Sequence, residues 1–180
     1  KYVKLLISKL VDGVIFCAGG KSDRNLGILS NNHVPFVLVD RYVEGYEDAF
    51  GVYCRNREGM SEAVEYLYEK GNKKIAFVMG PDKIQVSRQR LKGYKNTMKK
   101  YGLYDSDLIF QTKLTLEGGM KATKEILCQI KNIEAILYSN DVMAMGGMKI
   151  LTREGYSIPK DIRVMGFDNI NLTEYTEPEL

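Results

Sequence analysis

One stretch limits the folds open to this chain more than any other. It reads Ile133-Glu134-Ala135-Ile136-Leu137-Tyr138-Ser139-Asn140-Asp141-Val142-Met143-Ala144-Met145-Gly146. The apolar run Ala135 to Tyr138 has the composition of a buried strand. Small polar residues follow, then a helix-forming run begins at once. Ser139, Asn140 or Asp141 can cap that helix by accepting from its orphan backbone N–H groups. Ala144, Met148 and Leu151 recur at helical spacing, and Gly155 is placed as the C-terminal cap. A polar cluster therefore sits where a strand hands over to a helix. In a parallel α/β sheet that is the carboxyl end of a strand, where ligands bind.

The pattern repeats along the chain. Val3, Leu6 and Leu10 mark a helix, Val11 to Phe16 a strand, Leu26 to Leu29 a short helix and Val34 to Val39 a second strand ending at Asp40-Arg41. Tyr42 to Asp48 reads as a loop and Ala49 to Cys54 as a short extended crossing. From Asn56 the helices lengthen. Met60, Ala63, Val64 and Leu67 stripe the first, which Gly71 stops. Lys74 to Met79 is a strand closed by Gly80-Pro81. Leu91, Tyr94, Met98 and Tyr101 stripe a helix ended by Gly102, Leu108 to Phe110 is a short strand, and Met120, Thr123, Leu127 and Ile130 stripe another helix. Ile162 to Phe167 forms a last strand, ending at Asp168-Asn169. Strands alternating with helices call for parallel sheets with helices on both faces, an α/β fold. The change of style near residue 54 divides the chain into 1–54 and 55–180.

Composition excludes several function classes. With 180 residues the chain can bury a real core. A net charge of +3, with both signs interspersed, is too weak to argue for nucleic-acid binding by this chain. Cys17, Cys54 and Cys128 lie in apolar surroundings and read as reduced core thiols, which favours a cytoplasmic setting. No apolar run reaches ~18 residues, so no membrane span is expected. The chain opens inside a helix and closes in mid-loop, so both ends are expected to continue in a longer protein.

Candidate motifs weigh mostly against catalysis. Gly19-Gly20-Lys21-Ser22 follows a strand, but a phosphate loop needs a glycine where Ile15 stands, so a plain polar turn is the better reading. His33 is the sole histidine, on the amino side of its strand, and reads as a surface residue. One histidine and three scattered cysteines supply no zinc spacing, and no dinucleotide fingerprint is present. Met143, Met145 and Met148 read as core or subunit contact. Arg88 or Arg90 at a helix start opposes the macrodipole, so one of them is a candidate for another task, such as gripping hydroxyls, carboxylates or phosphates. For Asn140 and Asp168 the plainer roles are helix capping and turn formation. Asp, Asn and Arg at strand ends equip a site for a polyhydroxyl ligand; no nucleophile–base pair, metal set or cofactor motif accompanies them.

The motifs, taken in order, resemble the effector-binding domain of Lac repressor family transcription regulators. They are Val11-Asp12-Gly13-Val14-Ile15, Val34-Pro35-Phe36-Val37-Leu38-Val39-Asp40-Arg41, Lys73-Lys74-Ile75-Ala76-Phe77-Val78-Met79-Gly80-Pro81 and Arg90-Leu91-Lys92-Gly93-Tyr94. Ser139-Asn140-Asp141-Val142-Met143-Ala144-Met145-Gly146 and the run from Ile158 to Asn169 complete the set, which covers essentially all 180 residues.

The resemblance implies a type I periplasmic-binding-protein-like fold, with two parallel-sheet α/β subdomains and an effector in the cleft between them. Residues 1–54 would be part of the first subdomain, incomplete here, and 55–180 the second. It implies effector contacts at Asp40, Ser87, Arg90, Leu114, Asn140 and Asp168, with Ile84 to Val86 lining the same wall. Leu114 stands where many members place a stacking aromatic. Arg55 replaces the usual Asp at the crossing, and Gly71-Asn72 the usual Gly-His. The family's helix-turn-helix, the first strand and helix of its first subdomain and its C-terminal strands would lie outside this chain. The function implied is sensing and dimerisation in a bacterial transcription regulator, a repressor answering to a sugar or similar metabolite. Operator DNA would be bound only through the missing head, with no membrane partner and no cofactor. The rival readings are an exported sugar-binding protein of the same fold and, more weakly, an enzyme on a doubly wound sheet.

Overall fold

The structure, a computed structural model, describes residues 2–17, 24–40, 43, 45, 46 and 49–180. Gly19-Gly20-Lys21-Ser22 and most of the Tyr42 to Asp48 loop lie outside the described residues. Two compact units form, Lys1–Cys54 and Arg55–Leu180.

In the first unit, α1 (Tyr2–Ser8), β1 (Val14–Cys17), α2 (Arg24–Asn31), β2 (Phe36–Val39) and β3 (Gly51–Val52) build a parallel sheet in the order β1-β2-β3. Both longer strands start later than their apolar runs because the preceding helix is still closing. The N–H groups of Leu10 and Val11 donate to Ile7 and Leu6, and those of His33 and Val34 donate to Ser30 and Leu29. Pro35 has no N–H to give. A small core of Leu26, Leu38 and Val43 lies on one face, with Phe36 meeting Tyr46 edge-on at 5.9 Å. On the other side Ile15 is 70% and Val52 65% exposed. A parallel sheet is normally covered on both faces; among the described residues this one is covered on one.

The second unit runs α3 (Asn56–Glu69), β4 (Ile75–Met79), α4 (Gln85–Lys100), β5 (Ile109–Gln111), α5 (Leu116–Gln129), β6 (Ala135–Tyr138), α6 (Asp141–Arg153) and β7 (Arg163–Met165). All strands are parallel, in the order β5-β4-β6-β7. β4 and β6 are buried along their whole lengths. Their period-two alternation sorts the core into two layers. Ile75, Phe77, Met79, Ala135 and Leu137 face α3 and α4, against Met60, Val64, Leu67, Tyr94 and Met98. Ala76, Val78, Ile136 and Tyr138 face α5 and α6, against Ala122, Ile126, Met143, Ala144 and Leu151. Gly71, Gly102 and Gly155 end α3, α4 and α6 with φ of +89°, +69° and +86°, the left-handed caps that only glycine adopts freely. The 3-10 turns at Ser106–Leu108 and Asn171–Tyr175 lack a periodic signal.

One expectation needs correction. Cys17, Cys54 and Cys128 are exposed rather than in the core. Cys128 sits one residue past Leu127, which turns it about 100° off the apolar stripe of α5; Cys17 lies on the bare side of β1. The inference of a cytoplasmic setting from buried thiols therefore loses its footing.

Candidate functional site

The strand order creates the site's position. From β4 the chain crosses outward to β5 over one face, then returns over the other face past β4 to β6. The reversal falls between β4 and β6, and ligands bind beyond the carboxyl ends of strands at such a point. Those ends are Met79-Gly80 and Tyr138-Ser139-Asn140. α3 and α4 begin beside them without side-chain caps, at Arg55 and Ile84.

Arg90 is the centre of the cluster and only 6% exposed. Its Nε donates to Asn56 Oδ1 at 2.9 Å, one Nη to the Ser139 carbonyl, and the other Nη to Asp168 Oδ1 at 2.9 Å. Its guanidinium carbon stands 3.8 Å from the centre of the Phe167 ring, a cation–π contact. One fork thus ties the start of α3, the end of β6 and the loop after β7 together. Arg88 goes elsewhere: it is exposed and donates to the Asp82 carbonyl. Of the two arginines weighed from sequence, Arg90 is the one removed from solvent. Its unfavourable placement at a helix start is answered by a carboxylate and two neutral oxygens.

Asp168 keeps 42% of its side chain exposed while paired with Arg90. Ser87, one helical turn before Arg90, is 1% exposed, and its hydroxyl has no partner among the described residues. The Ser139 hydroxyl is likewise buried and unpartnered. Leu114 is half-buried. A Cβ added to Gly80 would lie 2.6 Å from both Leu114 Cδ2 and Ser87 Oγ, so these residues converge over the end of β4. Asn140 uses its side chain on its own helix, Oδ1 accepting from the Met143 N–H at 3.0 Å as the N-cap of α6. Asp40 lies in the first unit at the end of β2, with φ +53°, and its Oδ1 accepts from the Cys54 N–H at 2.8 Å.

Asn56, Ser139, Asp141 and Phe167 were passed over among the candidate contacts. Each is adjacent in sequence to a residue that was singled out, but adjacency carries no sign of which backbone carbonyl or ring an arginine on another helix will reach. Asp141 is 4% exposed and accepts at Oδ2 from the Ile170 N–H at 2.9 Å. Burial pushes its carboxyl above the ordinary aspartate value, while the amides of Ile170, Phe167 and Asn169 pull the other way.

The chemistry is that of recognition. A buried guanidinium, a part-exposed carboxylate, small hydroxyls and an aliphatic wall offer donors and acceptors suited to neighbouring hydroxyls on a ligand. Among the described residues no group of His, Cys, Asp and Glu is arranged to hold a metal ion. None of their helices is long and apolar enough to cross a membrane. His33 is exposed, with φ +55°. Two surface depressions, of about 490 and 300 Å³, are lined by other residues.

Comparison with known proteins gives a consistent picture. Residues 64–180 match the family described as "Periplasmic binding protein-like domain". Over 187 residues the chain is 31% identical to the HTH-type transcriptional repressor CytR of Escherichia coli strain K12, covering 99% of this chain and 52% of that protein. A solved complex of the transcriptional regulator CelR with cellobiose superposes with a TM-score of 0.89 at 27% identity, over 99% of this chain and 55% of that one. A regulatory protein of the LacI family from Chloroflexus aggregans gives a TM-score of 0.89 at 30% identity, over 99% and 64%. The chain spans about half the length of the curated relatives it matches.

Proposed function

Because the chain belongs to the periplasmic-binding-protein-like domain family, in the form that Lac repressor family regulators carry, we propose that it is the effector-sensing part of a bacterial transcription regulator. The observation that carries the reading is the Arg90–Asp168 pair, buried on one side and open on the other, at the switch point between β4 and β6. A sugar or similar polyhydroxylated metabolite is the ligand class that a guanidinium beside an open carboxylate suits. Asp168 accepts from its hydroxyls and Arg90 donates. Ser87, Leu114 and Asn140 line the same end of the second unit, and Asp40, at the end of β2, is a further candidate contact.

In this reading, effector binding favours one of two states of the regulator and shifts the population toward it. Homodimers and operator contacts belong to the whole regulator, with DNA reached through a helix-turn-helix head outside this chain. The setting is the cytoplasm, and the role is sensing rather than catalysis.

The test is calorimetric titration of the chain with glucose, ribose, cellobiose and adenosine, alongside an Asp168→Asn variant. Saturable binding of one of them by the native chain, weakened at least about tenfold in the variant, supports the assignment; a loss of that size matches one charge-assisted hydrogen bond. Equal binding by both proteins would remove Asp168 from the site.

A further inference from the structure

The loop that follows β7 carries both Phe167 and Asp168, and its backbone is unfavourable as it stands. Asp168 has φ +105° and Asn169 φ +54°. Asparagine tolerates the left-handed region, but a φ of +105° is outside it for an aspartate and must be imposed by surroundings. Those surroundings are the first residue of α6. The Asp141 N–H donates to the Phe167 carbonyl at 3.1 Å, and Asp141 Oδ2 accepts from the Ile170 N–H at 2.9 Å. Asp141 thus holds the loop on both sides of Asp168, through its backbone N–H before it and its carboxylate after it. Gly166 completes the fit, since a Cβ there would lie 2.1 Å from Asp141 Oδ1.

From this geometry we propose that Asp141 is a positioning residue for ligand recognition: it holds loop 166–170 so that Asp168 and Phe167 meet Arg90. This rests on the reading of Arg90 and Asp168 as effector contacts. Asp141 itself touches no ligand. The residue is 4% exposed and its carboxylate is engaged with backbone. It acts through a supporting shell that fixes the direction of a recognition group. The neighbouring Asn140 caps α6 independently, so the two adjacent polar residues divide the work between helix and loop.

The experiment compares native chain, Asp141→Ala and Gly166→Ala, the latter pushing a methyl group into the carboxylate's place. Without ligand, amide hydrogen exchange is read at residues 166–170 and in β4 and β6. Loop exchange accelerated in both variants, with β4 and β6 unchanged, is the expected result. Titration with glucose, ribose, cellobiose and adenosine should then show affinity for whichever probe the native chain binds reduced by about tenfold, as a misaimed charge-assisted hydrogen bond predicts. Unchanged loop exchange, or exchange raised equally throughout the unit, overturns the proposal. If Asp141→Ala does not fold, Gly166→Ala decides alone by the same criterion. If the native chain binds none of the four probes, the effector reading falls, and loop exchange still decides whether Asp141 holds the loop.

Discussion

Arg90 and Asp168 form one ion pair but should respond differently to mutation. Arg90→Ala withdraws a donor from the buried Ser139 carbonyl and another from Asn56 Oδ1, and should cost about 2 kcal/mol of stability, the penalty for a buried acceptor that loses its donor. Asp168→Asn should cost less, about 1 kcal/mol, since asparagine keeps an oxygen that can accept from Arg90 but withdraws the counter-charge of a guanidinium only 7% exposed. Urea denaturation of the two variants checks the contrast, so Asp168 is the cleaner probe of the site. Glu134 gives a pH prediction. Its carboxylate accepts from the Lys74 and Lys73 amides at the start of β4. The Lys74 amide above all, with that of Lys73 and the charges of both lysines, holds its pKa below the ordinary 4.5. The native state therefore binds that proton less readily than the unfolded chain. The resulting stability is present above pH 4.5 and is lost as pH falls through the lowered value. Glu134→Gln should flatten this part of the acid limb in thermal melts between pH 3 and 5, a range set about the reference carboxylate value.

At the level of elements, α5 and α6 approach so closely that glycine is required on both. A Cβ on Gly119 would lie 1.9 Å from the Met143 carbonyl, and one on Gly146 2.1 Å from that of Leu116. These are backbone atoms, so the helices themselves must part. Gly119→Ala should lower stability by about 2 kcal/mol, in the range of overpacked cores, despite alanine's better helix propensity. A loss below about 0.5 kcal/mol in urea denaturation would show that the pair can separate cheaply. The elements were legible because their periodicities were strong: Met60, Val64 and Leu67 stripe α3, and the whole of β4 and β6 is apolar. What escaped was local. The starts of β1 and β2 were read too early, because helix-closing hydrogen bonds compete for the same backbone groups and leave no mark on side-chain pattern.

For the whole molecule, the two units differ in what they bury. Among the described residues, the first has one small core and exposed apolar side chains at Ile15 and Val52; the second has two full layers around β4 and β6. Burial sets local stability. Hydrogen exchange followed by mass spectrometry should therefore show peptides from 2–54 exchanging well before those of β4 and β6. Simultaneous exchange of both units would show that they unfold as one. Mutations in the second unit should accordingly be read on its own transition.

The alternating apolar runs and helical stripes determined the parallel α/β architecture, because a strand buried on both faces must be apolar throughout while an amphipathic helix need be so on one side. The glycine stops and the cap at Asn140 were equally present in sequence, since they are written in the residues that perform them. Only the tertiary structure decided which polar residues act together. Arg90 is 34 residues from Asn56 and 78 from Asp168. Nothing in local composition distinguishes a guanidinium that will be buried by three elements from one that stays in water. That choice is made by strand order, which brings the carboxyl ends of β4 and β6 together and closes the loop after β7 over them.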